Sequence, residues 1–375
     1  MSRINPPYRA DIVGSFLRPQ SVKDARAQFA AGTITREELT RVEDAAIADL
    51  VKKEKANGLV AVTDGEFRRH MWHLDFLAEL TGIRHVKADA WSVQFKGHQP
   101  NAETIVIADK IAFPKDHSFL AAFDKLQAAA GDSPVKQTIP SPSMLHLICC
   151  VRATNYEPIE RYRNNEAFLL DDIAETWIDA MLAFYKRGCR YLQFDDTSWG
   201  EFCSAEKRKA YADRGIDVDR VGRLYVECLN KILARKPADM TVTMHICRGN
   251  FRSTWFSSGG YEPVAEILFA NCRVDGFFLE YDSDRAGGFE PLRFIKDQTV
   301  VLGLITSKFP QLEDKAAVKA RIAEAAKYVP LQQLALSPQC GFSSTEEGNI
   351  LTEEDQWAKI RLTVEIAKEV WADTL

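Results

Sequence analysis

The feature that most restricts the fold is a series of short β-rich runs, each followed by sequence of helical periodicity. Eight such runs occur, at 11–15, 59–63, 135–139, 191–194, 241–246, 276–279, 299–304 and 332–337. They read as buried strands of a parallel sheet. Between and after them the periodicity predicts helices at 20–31, 35–57, 117–130, 165–187, 205–212, 217–235, 261–271, 312–328 and 353–371. The second opens on a capping box, Thr35 with Glu38, and stops at Asn57-Gly58. Eight β–α repeats without a linker are the arithmetic of an α/β (β/α)8 barrel, one domain over residues 1–375. A doubly wound sheet is the rival, but its first β–α turn should carry Gly-x-Gly-x-x-Gly, which is absent. Residues 84–115 break the alternation, and Val93-Gln94-Phe95-Lys96-Gly97 with Thr104-Ile105-Val106-Ile107 reads as a hairpin excursion.

Composition narrows the function classes. A chain of 375 residues, 46% hydrophobic and 27% charged, can bury a large core. No run approaches the length of a membrane span, and Met1-Ser2-Arg3-Ile4-Asn5-Pro6-Pro7 lacks the apolar stretch of a signal peptide. A cytoplasmic location is therefore expected, with no membrane partner. The net charge of −5, with Lys and Arg interspersed among acids, argues against a nucleic-acid surface. A homo-oligomer stays open. Eight cysteines without a secretory leader are no disulfide framework, and most read as small buried hydrophobes.

Cys247 and Cys340 escape that reading through their neighbours. The run Thr241-Val242-Thr243-Met244 leads into His245-Ile246-Cys247 and then Gly249-Asn250. Side chains two apart on an extended segment share a face, so His245 and Cys247 point together at the end of a strand. Imidazole plus thiolate suits zinc. Other unusual polar residues also fall at carboxyl ends of the runs: Ser15, Asp64, Glu66, Ser141, Asp195, Glu280, Ser307, Lys308 and Cys340. In a barrel these ends converge on the face where active sites are built. Asp64 and Ser141 read as turn or capping residues. Glu280 and Cys340 are candidates for the missing ligands, although spacing leaves the set open because His-x-Cys alone is a weak motif.

The ligand types point to a reaction class. Two thiolates and a carboxylate leave Zn2+ with a formal charge near −1, poorly suited to acidifying water but able to hold a substrate sulfur as a nucleophile. The inferred chemistry is alkyl transfer to a thiol. Glu66 and Asp195 offer acceptors for an ammonium, unless Glu66 is held in a salt bridge by Arg68. Gly14-Ser15 offers donors for a carboxylate. Together these describe an amino-acid thiol such as homocysteine.

Six segments carry a resemblance to a known family: Val13-Gly14-Ser15-Phe16, Asp64-Gly65-Glu66-Phe67-Arg68, Gln193-Phe194-Asp195-Asp196, His245-Ile246-Cys247, Phe278-Leu279-Glu280 and Ser337-Pro338-Gln339-Cys340-Gly341. In this order, from about residue 9 onward, the sequence resembles the catalytic barrel of cobalamin-independent methionine synthase, and most closely its short single-barrel branch. The resemblance implies zinc on His245, Cys247, Glu280 and Cys340, homocysteine on Ser15, Glu66 and Asp195, and a folate contact at Glu201. It implies methyl transfer from 5-methyltetrahydrofolate or a related donor, giving methionine.

Three departures stand out. The length suits one barrel where full-length enzymes carry two. Lys308, in Thr306-Ser307-Lys308-Phe309-Pro310, stands in place of the family's catalytic histidine after strand seven. No Trp follows Pro140-Ser141-Pro142 to stack on a pterin. Lys308 is then a candidate acid or anion anchor, although an ordinary lysine pKa near 10.4 would need lowering. An alternative thiol reaction, epoxide opening by coenzyme M, would want Arg18, Arg68 or Lys308 on its sulfonate. A zinc hydrolase or lyase, and a non-catalytic zinc-stabilised protein, are the readings from other classes.

Overall fold

A computed structural model of the chain describes residues 5–88, 94–95, 97, 99 and 102–371. Its strands are β1 (Thr81–Lys87), β2 (Glu103–Ala112), β3 (Lys136–Pro140), β4 (Tyr191–Asp196), β5 (Thr241–Ile246), β6 (Gly276–Glu280), β7 (Thr299–Ile305) and β8 (Leu334–Pro338). The last six form one parallel sheet in sequential order. All residues of β3, β4, β6, β7 and β8 are buried, including the polar Lys136, Gln137, Gln193 and Ser337.

The two remaining runs, 11–15 and 59–63, are not regular strands, a correction to the expected eight. They still bridge the sheet's edges in parallel. Asp11 N donates to Leu336 O and Leu336 N to Arg9 O; Phe16 N donates to Gly65 O; Val62 N donates to Pro134 O and Lys136 N to Val62 O. The hydrogen-bonded path thus runs from β8 through these two staves to β3. Side chains displace the regular ladder here. Ile12 N bonds Asp11 Oδ1 (2.8 Å), Thr63 N bonds Glu54 Oε1 (3.0 Å), and Thr63 Oγ1 donates to Gly14 O (2.7 Å). Gly14, Gly65 and Glu66 also have positive φ, outside the β region.

Most expected helices are present within a residue or two, including Gln20–Ala30, Glu166–Lys186 and Glu353–Val370, and Arg36–Ala56 carries the expected capping box. Two are shorter than expected, Glu262–Leu268 and Lys315–Ala325. Gln298 Nε2 takes the carbonyls of Phe269 and Cys272 past the first helix. Glu313, before the second, is drawn to Thr306 N and the Lys359 ammonium. Among the described residues, three α-helical segments were not expected: Leu74–Leu77, Pro142–His146, which runs into the π-helical Leu147–Arg152, and Ser198–Phe202.

The excursion is a hairpin, but its strands are β1 and β2, antiparallel with Ile83 beside Ile107. The expected strand at 104–107 lies inside β2. Of the other expected strand, Val93 and Lys96 lie outside the described residues, and Gln94, Phe95 and Gly97 are not in a strand. Among the described residues no helix is long and apolar enough to cross a membrane.

Candidate active site

Parallel register sets the centre of the site. Asp195 on β4, His245 on β5 and Phe278 on β6 lie side by side at the carboxyl end of the sheet. The His245 Nδ1–H donates to Phe278 O (3.3 Å), which leaves Nε2 as the free lone pair. That atom is buried and has no hydrogen-bond partner among the described residues. Cys247 follows two residues on, its N–H held by Asp196 O. Its Sγ lies 3.7 Å from Cys340 Sγ. Glu280 ends β6, with Oε1 accepting from Arg248 N (3.1 Å) and Oε2 from Arg285 Nη2 (3.1 Å).

One ligand atom from each of His245, Cys247, Glu280 and Cys340 lies within 4.8 Å of all the others, and all four residues are buried. The structure therefore brings together the whole expected ligand set, from three separate strand ends. The spacing fits a tetrahedral ion: metal–sulfur bonds of about 2.3 Å put two sulfurs roughly 3.8 Å apart. Sharing a hydrogen bond with Cys340, together with burial, pushes the Cys247 thiol well above the ordinary range. A bound dication would invert that preference and favour the thiolate.

A cavity opens over this cluster and is lined by Ser15, Glu66, Asp195, His245, Cys247 and Cys340 at its floor. Glu66, at φ 61°, is turned inward after the Asp64 Oδ1 turn bond to its own N–H (2.8 Å). Its Oε1 accepts from Thr138 Oγ1 (2.9 Å) and faces Arg69 Nη1 (3.2 Å). Its Oε2 is buried and has no hydrogen-bond partner among the described residues. Burial raises the Glu66 carboxyl, against the pull of Arg69 and Arg18. Asp195 is pushed up to about 7, chiefly by burial, opposed by His245 and reinforced by Glu66. Gln193 Nε2 holds its Oδ1 at 2.7 Å. Ser15 Oγ accepts from Ser343 N (3.2 Å). Gly14 lies behind Ser15, where a Cβ would stand 2.7 Å from Thr138 Cγ2.

Two expected site residues are placed elsewhere. Lys308 is fully buried and does not line the cavity. Its ammonium donates to Gly249 O (3.2 Å), Asn250 Oδ1 (2.8 Å) and Thr254 O (3.3 Å), which uses all three of its hydrogens. Glu201 is also buried behind the wall: Oε1 takes Arg152 Nε (2.8 Å) and Oε2 takes the Tyr211 hydroxyl. Arg152 reaches the cavity in its stead, with Nη2 on Thr197 Oγ1 (3.0 Å). Asp64 is the turn residue expected, and Ser141 Oγ pairs with Ser143 Oγ at 2.7 Å.

The upper walls were not foreseen. Trp72, His73, Phe95, Phe251 and Phe256 line them. Phe95 packs on Phe251 and Phe256 at ring-centroid distances of 5.5 and 5.2 Å. Burial, aided by Arg152, lowers His73 to about 3, so its imidazole is neutral. Trp72-His73 lie just beyond the Asp64–Arg69 motif in sequence, after His70 and Met71, and that proximity was the available signal. Arg152 had none, because it ends a π-helical segment without a sequence period.

Comparison with known proteins agrees with the geometry. The sequence pattern of the cobalamin-independent synthase catalytic domain matches residues 9–369. The chain is 48% identical to the Bacillus subtilis protein YxjG, over 99% of this chain and 97% of that one. A solved structure from Listeria monocytogenes, assigned as a vitamin-B12-independent methionine synthase, superposes with a TM-score of 0.77 at 42% identity, covering 97% and 98% of the two chains. The 5-methyltetrahydropteroyltriglutamate–homocysteine methyltransferase of Lactiplantibacillus plantarum is 22% identical over 90% of this chain, which spans only 40% of that enzyme. By its matched length, its fold and its relatives, the chain belongs to the family of cobalamin-independent methionine synthase catalytic domains.

Proposed function

We propose that this chain is a zinc-dependent S-methyltransferase that methylates the thiol of homocysteine to form methionine, acting as a single catalytic barrel. One observation carries the reading: the unpartnered Glu66 Oε2 and Asp195 share a cavity floor with the buried His245–Cys247–Glu280–Cys340 cluster. An ammonium acceptor and a thiol-seeking centre in one cavity suit an α-amino-acid thiol. Glu66 and Asp195 take the ammonium, and Ser15 with the adjacent backbone takes the carboxylate. When bound, zinc supplies a site that holds the substrate sulfur as an electron-rich thiolate. The sulfur–methyl bond forms as the donor–methyl bond breaks. The aromatic upper walls exclude water and suit a flat methyl donor such as 5-methyltetrahydrofolate, with Arg152 available to a carbonyl or anionic edge.

The rival substrate, coenzyme M, is disfavoured by the cations named for it. Arg18 serves four backbone carbonyls, including Glu66 O at 2.7 Å, Arg68 pairs with Glu43 and Asp44, and Lys308 is enclosed. The decisive assay uses zinc-loaded protein with L-homocysteine and a panel of methyl donors, scored for methionine. Cys340→Ser should lose zinc and activity while the chain stays folded. Thermal stabilisation by coenzyme M but not by homocysteine, or hydrolysis without any thiol, would overturn the proposal.

A further inference from the structure

Lys308 has no place in the cavity, yet a lysine with no solvent contact needs a reason to be there, because burying an ammonium is costly unless it is fully bonded. Its three acceptors answer that need. Gly249 O, Asn250 Oδ1 and Thr254 O all belong to the loop that leaves Cys247. This loop is strained: Arg252 and Ser253 have φ of 46° and 65°, a region unfavourable for a non-glycine residue. Three oxygens facing one another inside the protein would repel without a cation between them.

The same loop touches the Cys247 thiol and the segment that begins at Cys340. Gly249 N donates to Cys247 Sγ (3.2 Å). Asn250 Nδ2 donates to Gly341 O (2.7 Å) and Ser344 Oγ (3.1 Å), on the segment that begins at Cys340. Asn349, further along that segment, returns to Asn250 Oδ1 (2.9 Å), Ser307 O (2.8 Å) and the N–H of Ser253 (2.9 Å). Ser307 Oγ closes the circuit on Gly341 O (2.9 Å). The loops after β5, β7 and β8 are therefore tied around Asn250, whose Oδ1 accepts from both the Lys308 ammonium and Asn349 Nδ2 and whose Nδ2 holds Gly341 O.

We propose that Lys308 is a positioning residue: with Asn250 and Asn349 it braces the loops carrying Cys247 and Cys340, so that the two sulfurs are held at metal-binding separation before an ion arrives. This rests on the metal reading above and assigns Lys308 no proton transfer. Removing such outer support typically lowers metal affinity 10- to 100-fold.

The test strips the chain of metal and reloads it with zinc or cobalt(II), wild type beside Lys308→Met. Chelator competition should show the zinc dissociation constant rising at least 10-fold. The thiolate-to-cobalt absorption should weaken or shift, and melting of the metal-free proteins reports any general loss of stability separately. If the variant does not fold, Asn349→Ala cuts the same brace with the ammonium retained and should also weaken zinc binding. Unchanged zinc affinity and cobalt spectrum in the folded variant, with turnover lost and the alkaline limb of the pH–rate curve abolished, would overturn the inference and make Lys308 an acid. If wild type takes up neither metal, the metal reading itself falls; if wild type binds and the variants bind equally, only the brace falls.

Discussion

The contact between Gly341 and Ser15 allows a quantitative test of how the chain holds the Ser15 hydroxyl. A Cβ built on Gly341 stands 2.0 Å from Ser15 Oγ, 3.1 Å from Ser15 Cβ and 3.2 Å from Ser15 N. Normal contact needs roughly 3.5 Å, so Gly341→Ala forces the hydroxyl to rotate away. Rotation orphans the buried Ser343 N–H that now donates to it, at about 1–3 kcal/mol, and the remaining crowding adds about 1 kcal/mol. An unfolding entropy of about 2.1 cal/mol/K per residue makes each kcal/mol worth roughly 1.3 °C in a chain of 375 residues, so the melting temperature should fall by roughly 3–5 °C. Ser15→Ala loses the same hydrogen bond but removes the obstacle. The double variant should then be little worse than Ser15→Ala alone, a coupling of about 2 kcal/mol. Urea unfolding of the four proteins measures the cycle, and homocysteine affinity should weaken in Gly341→Ala. Additivity within about 0.5 kcal/mol would refute the reasoning, because it would mean the two positions do not meet.

Glu66→Gln removes the charge facing the substrate ammonium while keeping the bond to Thr138, and should raise the homocysteine KM by roughly 10- to 100-fold with zinc content unchanged by metal analysis. Arg285→Met leaves Glu280 and Asp282 without the cation they share, so the metal-free protein should lose about 3–5 kcal/mol. Zinc should then raise its melting temperature more than that of wild type, since the ion neutralises Glu280 directly; an equal rise in both would contradict the placement of Glu280 at the metal. Glu54 is fully buried, and burial holds its carboxyl well above the usual range despite the Thr63 N–H. The folded state therefore keeps a proton that the unfolded state releases, and stability falls as pH rises above about 4.3 towards the folded value. Glu54→Gln cannot ionise, so its stability relative to wild type should increase as pH rises above about 4.3 in urea unfolding; parallel pH dependences would refute the assignment.

Sequence periodicity and strand chemistry reveal part of this molecule well. The runs that became β3 to β8 were legible as short β-forming stretches between helical sequence, although β3 and β4 also bury Lys136, Gln137 and Gln193. The runs near 11–15 and 59–63 carry the same signal, yet side chains of Asp11, Glu54 and Thr63 satisfy their backbone, and no pattern of hydrophobicity reports such local competition. The pair Asp195-Asp196 shows the strand period at work. Asp195 faces the cavity, whereas Asp196, one residue on, takes the N–H groups of Ser198 (2.6 Å) and Trp199 (3.3 Å) at the start of a helix.

The same logic separates the candidate ligands from Lys308. His245, Cys247, Glu280 and Cys340 sit at or just beyond strand ends, where register dictates direction, and they converge as expected. Lys308 also follows a strand end, but it lies three residues past β7, and its direction is set by a loop from elsewhere in the chain. A residue type suited to acid chemistry, in a position suited to it, is turned inward because three loop oxygens need a cation more than the cavity does. Strand register therefore carries side-chain direction only as far as the ladder extends. Beyond it, the partner that completes a buried polar group decides, and that partner is a tertiary fact.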